Sequence, residues 1–264
     1  MTLVRHALLL AAFFVVSTPI VAQQPFYTDN AEVTDKSKLH LQISNEFDVL
    51  QRSAYPSLRQ NTTVFELDYG IARNVEIGVD GPLIAIMNSR IISPRTPFGF
   101  GDLDLHIKYN FLKEREGSRR PALAATFAVE LPTGDSKNQL GSGLTDYFLN
   151  GVLQKSLTKK TIFRLNGGVL FAGSTSTGEV GIKTRGTVVV AGVSLVKQFT
   201  SRLDLGVEVT GAVTRSLQLS RGQLQTQLGG NYQMTKRMSF DFGVVAGKYT
   251  SPRAGLQLGV SIDF

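Results

Sequence analysis

The chain has 264 residues, with 28 Lys and Arg against 21 Asp and Glu, a formal charge of +7, and neither cysteine nor tryptophan. Without cysteine there is no disulfide, no thiolate metal site and no cysteine nucleophile, so cohesion must come from hydrogen bonding and packing. The basic residues lie scattered in turns and loops (Lys113, Arg115, Arg119, Arg120, Lys159, Lys160, Lys236, Arg237) without interleaved aromatics, which argues against a nucleic-acid groove and suits turns near an anionic surface.

Residues 1–22 combine Arg5, an apolar run from Ala7 to Val16, and Ser17, Thr18 and Pro19 before Ala22. This is the pattern of a secretory signal peptide, with cleavage expected after Ala22. Ile20, at the third position before that cut, is larger than the residue usual there. Beyond the leader no apolar run approaches the ~20 residues of a membrane-spanning helix, so any membrane role must fall to strands.

Residues 23–36 show no period and are expected to form an N-terminal arm on the periplasmic side. Residues 37–264 then read as one β-barrel domain. Leu39, Leu41, Ile43, Phe47 and Val49 alternate with His40, Gln42, Ser44, Glu46 and Asp48, the two-residue period of a strand with unlike faces. After a loop at 52–61, Phe65, Leu67, Tyr69 and Ile71 repeat the alternation, residues 72–74 make a tight turn, and Val75, Ile77 and Val79 return. A longer loop at 88–100 precedes the clearest alternation, Leu103 to Phe111 set against Asp102 to Asn110. Further strands are expected near 123–131, 146–156, 162–172, 187–197, 203–209, 223–232, 238–246 and 256–264. The count is about 12 antiparallel strands of a length suited to crossing a bilayer.

Short turns (72–74, 158–160, 200–202, 235–237) alternate with longer loops (52–61, 88–100, 132–143, 173–185, 248–254). This is the asymmetry of outer-membrane barrels, which have short periplasmic turns and longer outer loops. Tyr69, Tyr109, Phe111, Phe163, Tyr232, Phe240 and Phe264 fall beside the short turns on the outward register, as an aromatic girdle would. The final strand alternates Leu256, Leu258, Val260, Ile262 and Phe264 with polar or small residues. It is similar to the C-terminal strand of bacterial outer-membrane proteins, and that likeness implies an assembly signal at Phe264.

The other register collects charge: Glu46, Asp48, Glu66, Asp68, Glu76, Asp80, Asp102, Asp104, Lys108, Glu130, Arg164, Glu208 and Asp241. Charges on one face of so many strands require a wet interior. Asp102, Asp104, Glu130 and Asp146 are expected near the outer ends of three consecutive strands as a cation-attracting mouth, with Arg164 a further lumen candidate. The plainer reading makes them solvated wall carboxylates paired with Lys or Arg. Phe148, Val152, Leu170, Val188 and Val190 put apolar groups on the same face. Either the register slips there, or the lumen holds an apolar patch that packs an inward-folded loop or guides an apolar solute.

Catalysis finds little support. His40 and His106 are the histidines beyond the leader, too few for a histidine-rich zinc site, and neither sits in a nucleophile motif. Residues 99–102, Gly-Phe-Gly-Asp, lead into a charged strand rather than a helix and so are not a dinucleotide fingerprint. The chain is read as a non-enzyme without metal or cofactor.

The run Gly99-Phe-Gly-Asp-Leu-Asp-Leu-His-Ile-Lys-Tyr109, followed by Glu130-Leu-Pro-Thr-Gly-Asp135 and Gly143-Leu-Thr-Asp146, resembles the bacterial outer-membrane family named for the meta-pathway of phenol degradation. Pro25-Phe-Tyr-Thr-Asp29 echoes it further. The resemblance implies a porin-like transporter in the outer membrane of a two-membraned bacterium, passing small solutes, aromatic or other apolar compounds among them. Its partners would be outer-membrane lipids and the barrel-assembly machinery. The rival reading is a plugged structural or adhesive barrel whose outer loops bind partners. The sequence sets no oligomeric state.

Overall fold

The computed structural model describes residues 25–88, 93–172, 186–215 and 222–264. The signal peptide expected at residues 1–22 and the loop expected at 173–185 lie outside them. The chain forms one antiparallel meander: β1 (Leu39–Val49), β2 (Ser57–Ala72), β3 (Val75–Asn88), β4 (Phe98–Phe100), β5 (Leu103–Leu112), β6 (Ala122–Leu131), β7 (Asp146–Thr158), β8 (Thr161–Ala172), β9 (Gly186–Gln198), β10 (Leu203–Thr214), β11 (Gln223–Gln233), β12 (Met238–Tyr249) and β13 (Ala254–Asp263). Consecutive strands pair from β5 to β13, β13 pairs with β1, β1 with β2, and β2 with β3, which in turn meets β5. The sheet therefore closes into the expected barrel of 12 long strands with no open edge. Among the described residues no helix is long and apolar enough to cross a membrane.

β4 and β5 act as one interrupted neighbour of β3. β5 pairs with Val75 to Asp80 and β4 with Leu83 to Ala85, while Gly101 at the break donates to the Pro82 carbonyl at 2.8 Å. The expected loop at 88–100 is therefore shorter, since Asn88 and residues 98–100 are strand. The loop expected at 52–61 shrinks in the same way, because β2 already runs from Ser57. Arg59 to Thr63 lack apolar alternation yet keep the ladder, with Asn45 bonding across to Asn61 at 3.1 Å and Thr63 at 2.8 Å. Polar cross-strand pairs hold a ladder where apolar ones are absent.

The alternation read from the sequence sets the two faces. Leu105, Ile107, Tyr109 and Phe111 are exposed outside, while Lys108 and Asn110 between them are buried inside. In water such an outer face would be an aggregation surface; against acyl chains it is the favoured one. Tyr69, Tyr109, Phe111, Tyr232 and Phe264 stand exposed on it near the short turns. The seam between first and last strands runs from His40 opposite Asp263 to Val49 opposite Ala254, and the Phe264 N–H adds a bond to the Leu39 carbonyl at 2.9 Å.

The arm does not stand off from the wall. From residue 25 it runs inside the barrel, entering past Lys36, which bridges to Gly70 beside the β2–β3 turn. Phe26, Thr28, Asn30 and Ala31 are each at most 6% exposed. The wall has a berth for it: a β-carbon on Gly192 would meet Thr28, one on Gly206 would meet Phe26, and one on Gly229 or Gly243 would meet Pro25. Absent side chains at those positions make the room in which the arm lies.

Candidate functional site

The inner space divides into a half filled by the arm, toward the short turns, and a half toward the longer loops. In the first, the arm's backbone and side chains bond to wall residues from nearly the whole circumference. Glu208 accepts from the N–H groups of Tyr27 at 3.0 Å and Thr28 at 2.5 Å, and the Thr28 hydroxyl meets that of Ser194 at 2.7 Å. Asn110 donates to the Ala31 carbonyl and Gln227 to that of Pro25. Glu76 accepts from the Thr34 N–H at 2.5 Å, and the Tyr27 hydroxyl donates to Glu46 while accepting from Gln257 at 2.8 Å. Lys108 places its ammonium 2.7 Å from Asp29 of the arm and 3.6 Å from Glu76 of the wall. A segment with no period in sequence is thus fixed chiefly by the bonds it makes to the wall, with Glu32 N–H to Asn30 as an internal one.

The other half holds a cavity of about 420 Å³. Strand registers explain its acidic side. Glu66 lies opposite Asp80, Asp80 opposite Asp104, Asp104 opposite Glu130, and Glu130 opposite Asp146, so five carboxylates follow one another across five strands, all on the inner face. Neighbouring groups on one face of a sheet stand roughly 5 Å apart, and two like charges at that distance repel by roughly 3 kcal/mol at an effective dielectric of ~20. The row is therefore a region of concentrated negative potential. His106, in the adjacent row, stands 3.1 Å from Asp68 and 3.7 Å from Asp80, and Gly78 between the strands leaves room for that approach. Glu66, Asp68 and His106 bring ligand-type atoms within 4.8 Å of one another.

Asp104, Glu130 and Asp146, expected together at a mouth, do line one cavity. Asp102 does not line it, although its carboxyl lies close enough to interact with Glu130 and Asp104. It is buried at the β4–β5 break, where its carboxylate accepts the Gly134 N–H at 2.8 Å and the Ser142 N–H at 2.6 Å. Thr133 completes the clasp, its hydroxyl donating to the Gly101 carbonyl at 3.2 Å and accepting the Leu103 N–H at 3.0 Å. The two stretches that carry the family resemblance, Gly-Phe-Gly-Asp102 and Pro-Thr-Gly-Asp135, thus hold each other: the aspartate of the first binds the backbone of the second. Asp135 caps the short turn of helix Ser136–Asn138, and its carboxyl sits below the ordinary value chiefly because the Asn138 side chain donates to it. Arg164 is buried on the arm side, its Nε 3.2 Å from Gln154, well removed from the row.

The five apolar candidates all face inward, since Tyr147, Leu149, Leu165, Phe171 and Val189 beside them are exposed. They form two groups. Val152 packs with Ala122 and Ala124 under Ala31 of the arm. Phe148, Leu170 and Val190 line the cavity, with Val188 and Ala212 behind Leu170 and Val190. Phe148 lies opposite Leu170, which lies opposite Val188, so no register slip is needed. What sequence reasoning missed is the membership of Glu66 and Asp80 in the carboxylate row and the arm's place in the lumen. The first was accessible by counting: Glu66 and Asp80 lie seven residues either side of Arg73 in the tight turn.

The fold has solved counterparts. An outer membrane channel from Pseudomonas putida F1 superposes with a TM-score of 0.65 at 14% identity over 91% of this chain and 99% of that one. The NanC porin gives 0.58 at 10% over 84% and 98%, and the translocator domain of the autotransporter NalP from Neisseria meningitidis 0.55 at 10% over 87% and 90%. At such identities the likeness is one of fold. No curated protein matches the chain. The model of one family spans residues 42–264, and the chain belongs to that family, described as "Putative MetA-pathway of phenol degradation".

Proposed function

We propose that the chain is a porin-like channel of the outer membrane of a two-membraned bacterium, passing small solutes through a cation-attracting lumen. The observation that carries this reading is the 420 Å³ cavity inside a closed barrel, walled on one side by a continuous row of carboxylates. Channels and porins of the same fold support it. Residues 1–22 would direct export and be removed, and the short-turn end, which carries both the entry of the arm and Phe264, would face the periplasm. Lipid would cover the apolar outer face, and the barrel-assembly machinery would read β13. The part of the lining that repels anions is local, so it outweighs the positive total charge carried by turns and loops. His106 is held between Asp68 and Asp80, as a fixed element of the wall rather than a catalytic base. The apolar face at Phe148 and Leu170 suits solutes with an apolar body, aromatic ones included.

Conductance in a planar bilayer under a salt gradient tests the proposal. The wild-type pore is expected to prefer cations, and Asp104→Asn, Glu130→Gln and Asp146→Asn together are expected to move the reversal potential toward anion preference. Asp102 is left intact in that variant because it clasps a loop. A wild-type pore that already prefers anions overturns the selectivity. The arm in the lumen is a specific observation in favour of the rival reading, a plugged structural or adhesive barrel, and an absence of conductance and solute flux would establish that reading instead.

A further inference from the structure

The cavity has two unlike walls, and the contrast identifies a class of ligand. Its acidic wall is short of counter-charge. Lys108 is committed to Asp29 and Glu76, and His106 to Asp68 and Asp80. Among the described residues no basic side chain forms an ion pair with Glu66, Asp104 or Glu130. A second, independent observation lies at the end of the row. Gln42 stands opposite Glu66 on the same inward face, outside the residues that line the cavity, and is 1% exposed, yet among the described residues neither its amide oxygen nor its amide nitrogen has a hydrogen-bond partner. A buried amide with both groups idle carries a desolvation cost, so this end of the row is left polar and unmatched.

Beside the row the wall changes character within one strand. The lateral row next to the carboxylates runs from His106 through Ala128 to Phe148 and Leu170, so an apolar face flanks the acidic one inside a single cavity. A small hydrated metal ion would find oxygen ligands along the row and toward the arm, where Asp29, Glu76 and Thr126 also line the cavity, but nothing to bind its water shell at the apolar face. An anion would be repelled by the row. A cation with an apolar body satisfies both walls, because its charge neutralises the row while its body leaves water for Phe148, Leu170 and Val190, and an aromatic face attracts cations besides.

We propose that this cavity is a binding site for an organic ammonium ion with a compact apolar body, its charged head at Glu66, Asp104 and Glu130 and its body against Phe148 and Leu170. The proposal rests on the channel reading, which brings the ligand to the lumen and names no ligand class of this kind by itself. The volume of about 420 Å³ lies in the usual range of small-ligand sites, about 300–1,000 Å³.

Isothermal titration of the mature protein in detergent tests it, with benzyltrimethylammonium, tetramethylammonium, benzyl alcohol and benzoate as probes. Benzyltrimethylammonium is expected to bind about tenfold or more tightly than tetramethylammonium and benzyl alcohol, and benzoate not to bind. The Asp104→Asn/Glu130→Gln variant should lose affinity for both cations by about tenfold, whereas Phe148→Ala/Leu170→Ala should lose the preference for the benzyl compound and keep the weak affinity for tetramethylammonium. If either double variant fails to give a heat-modifiable barrel, Glu66→Gln and Leu170→Val make the same comparison with smaller changes in volume. Benzoate binding as tightly as the benzyl cation, no binding of that cation, or affinity for it unchanged by loss of the carboxylates would each overturn the site. A pore that conducts but binds no benzyltrimethylammonium overturns the ammonium site alone, and binding without conductance overturns the channel reading alone while supporting the site.

Discussion

Lys108 shows what a single inward position contributes. Its side chain is 2% exposed, it comes from a strand whose alternate residues are exposed on the outer face, and its ammonium joins Asp29 of the arm to Glu76 of the wall. Replacing it by methionine keeps the length and removes the charge, leaving buried Glu76 and partly exposed Asp29 without the cation they share. Such a loss costs about 3–5 kcal/mol. Lys108→Met is therefore expected to lower the urea midpoint of the detergent-solubilised barrel, and adding Asp29→Asn is expected to restore part of the loss. An equal midpoint in wild type and single variant would show that the pair is not coupled to stability. At this scale the sequence was legible as to side but not as to partner. The inward place of Asp102 followed from alternation; its service to Gly134 and Ser142 did not, because that depends on a loop folding back over a strand break that no period announces. Asp104 and Glu130 read correctly as neighbours because hairpin register can be counted along the chain.

The arm is the element whose placement was least legible. Strands announce themselves by period because each has one polar inner face and one apolar outer face, whereas the arm touches wall on several sides and needs no period. The signal for them sat elsewhere, in glycines at Gly192, Gly206, Gly229 and Gly243, which look like strand weaknesses until the segment over them is seen. The arm also has a testable mechanical role. Because it fills the short-turn half of the lumen, removing residues 23–36 is expected to raise single-channel conductance severalfold while leaving the barrel intact. Equal conductance with and without the arm would place the narrowest point elsewhere. In the other direction, β2 was longer than alternation suggested, because its far end is held to β1 by polar pairs such as Asn45 with Thr63 instead of outward apolar ones.

At the scale of the whole molecule, closure rests on the β1–β13 seam, which joins residues more than two hundred positions apart. Phe264 finishes that seam, with its N–H bonded to Leu39 and its ring exposed on the outer face. Removing Phe264 is expected to reduce the fraction of heat-modifiable barrel recovered from membranes without blocking export. Full recovery would show that the seam closes and is recognised without it. The closed architecture was the most legible feature of all, since it needs only an even count of two-faced strands and alternating connection lengths. The lumen was the least, because its contents are decided by registers between strands and by the arm, neither of which is local.

The berth of the arm also dictates an order of events. Its partners are Glu76 and Lys108 near the start of the sheet, Ser194 and Glu208 past its middle, and Gln227 and Gln257 near its finish, so no partial sheet offers the complete set. The arm, first of the described residues to be synthesised, therefore cannot complete its contacts until the sheet has closed. A newly closed barrel would then pass through an interval in which its wall is complete while its bore is still unobstructed, and an internal docking step, whose rate should not depend on how many barrels surround it, would end that interval.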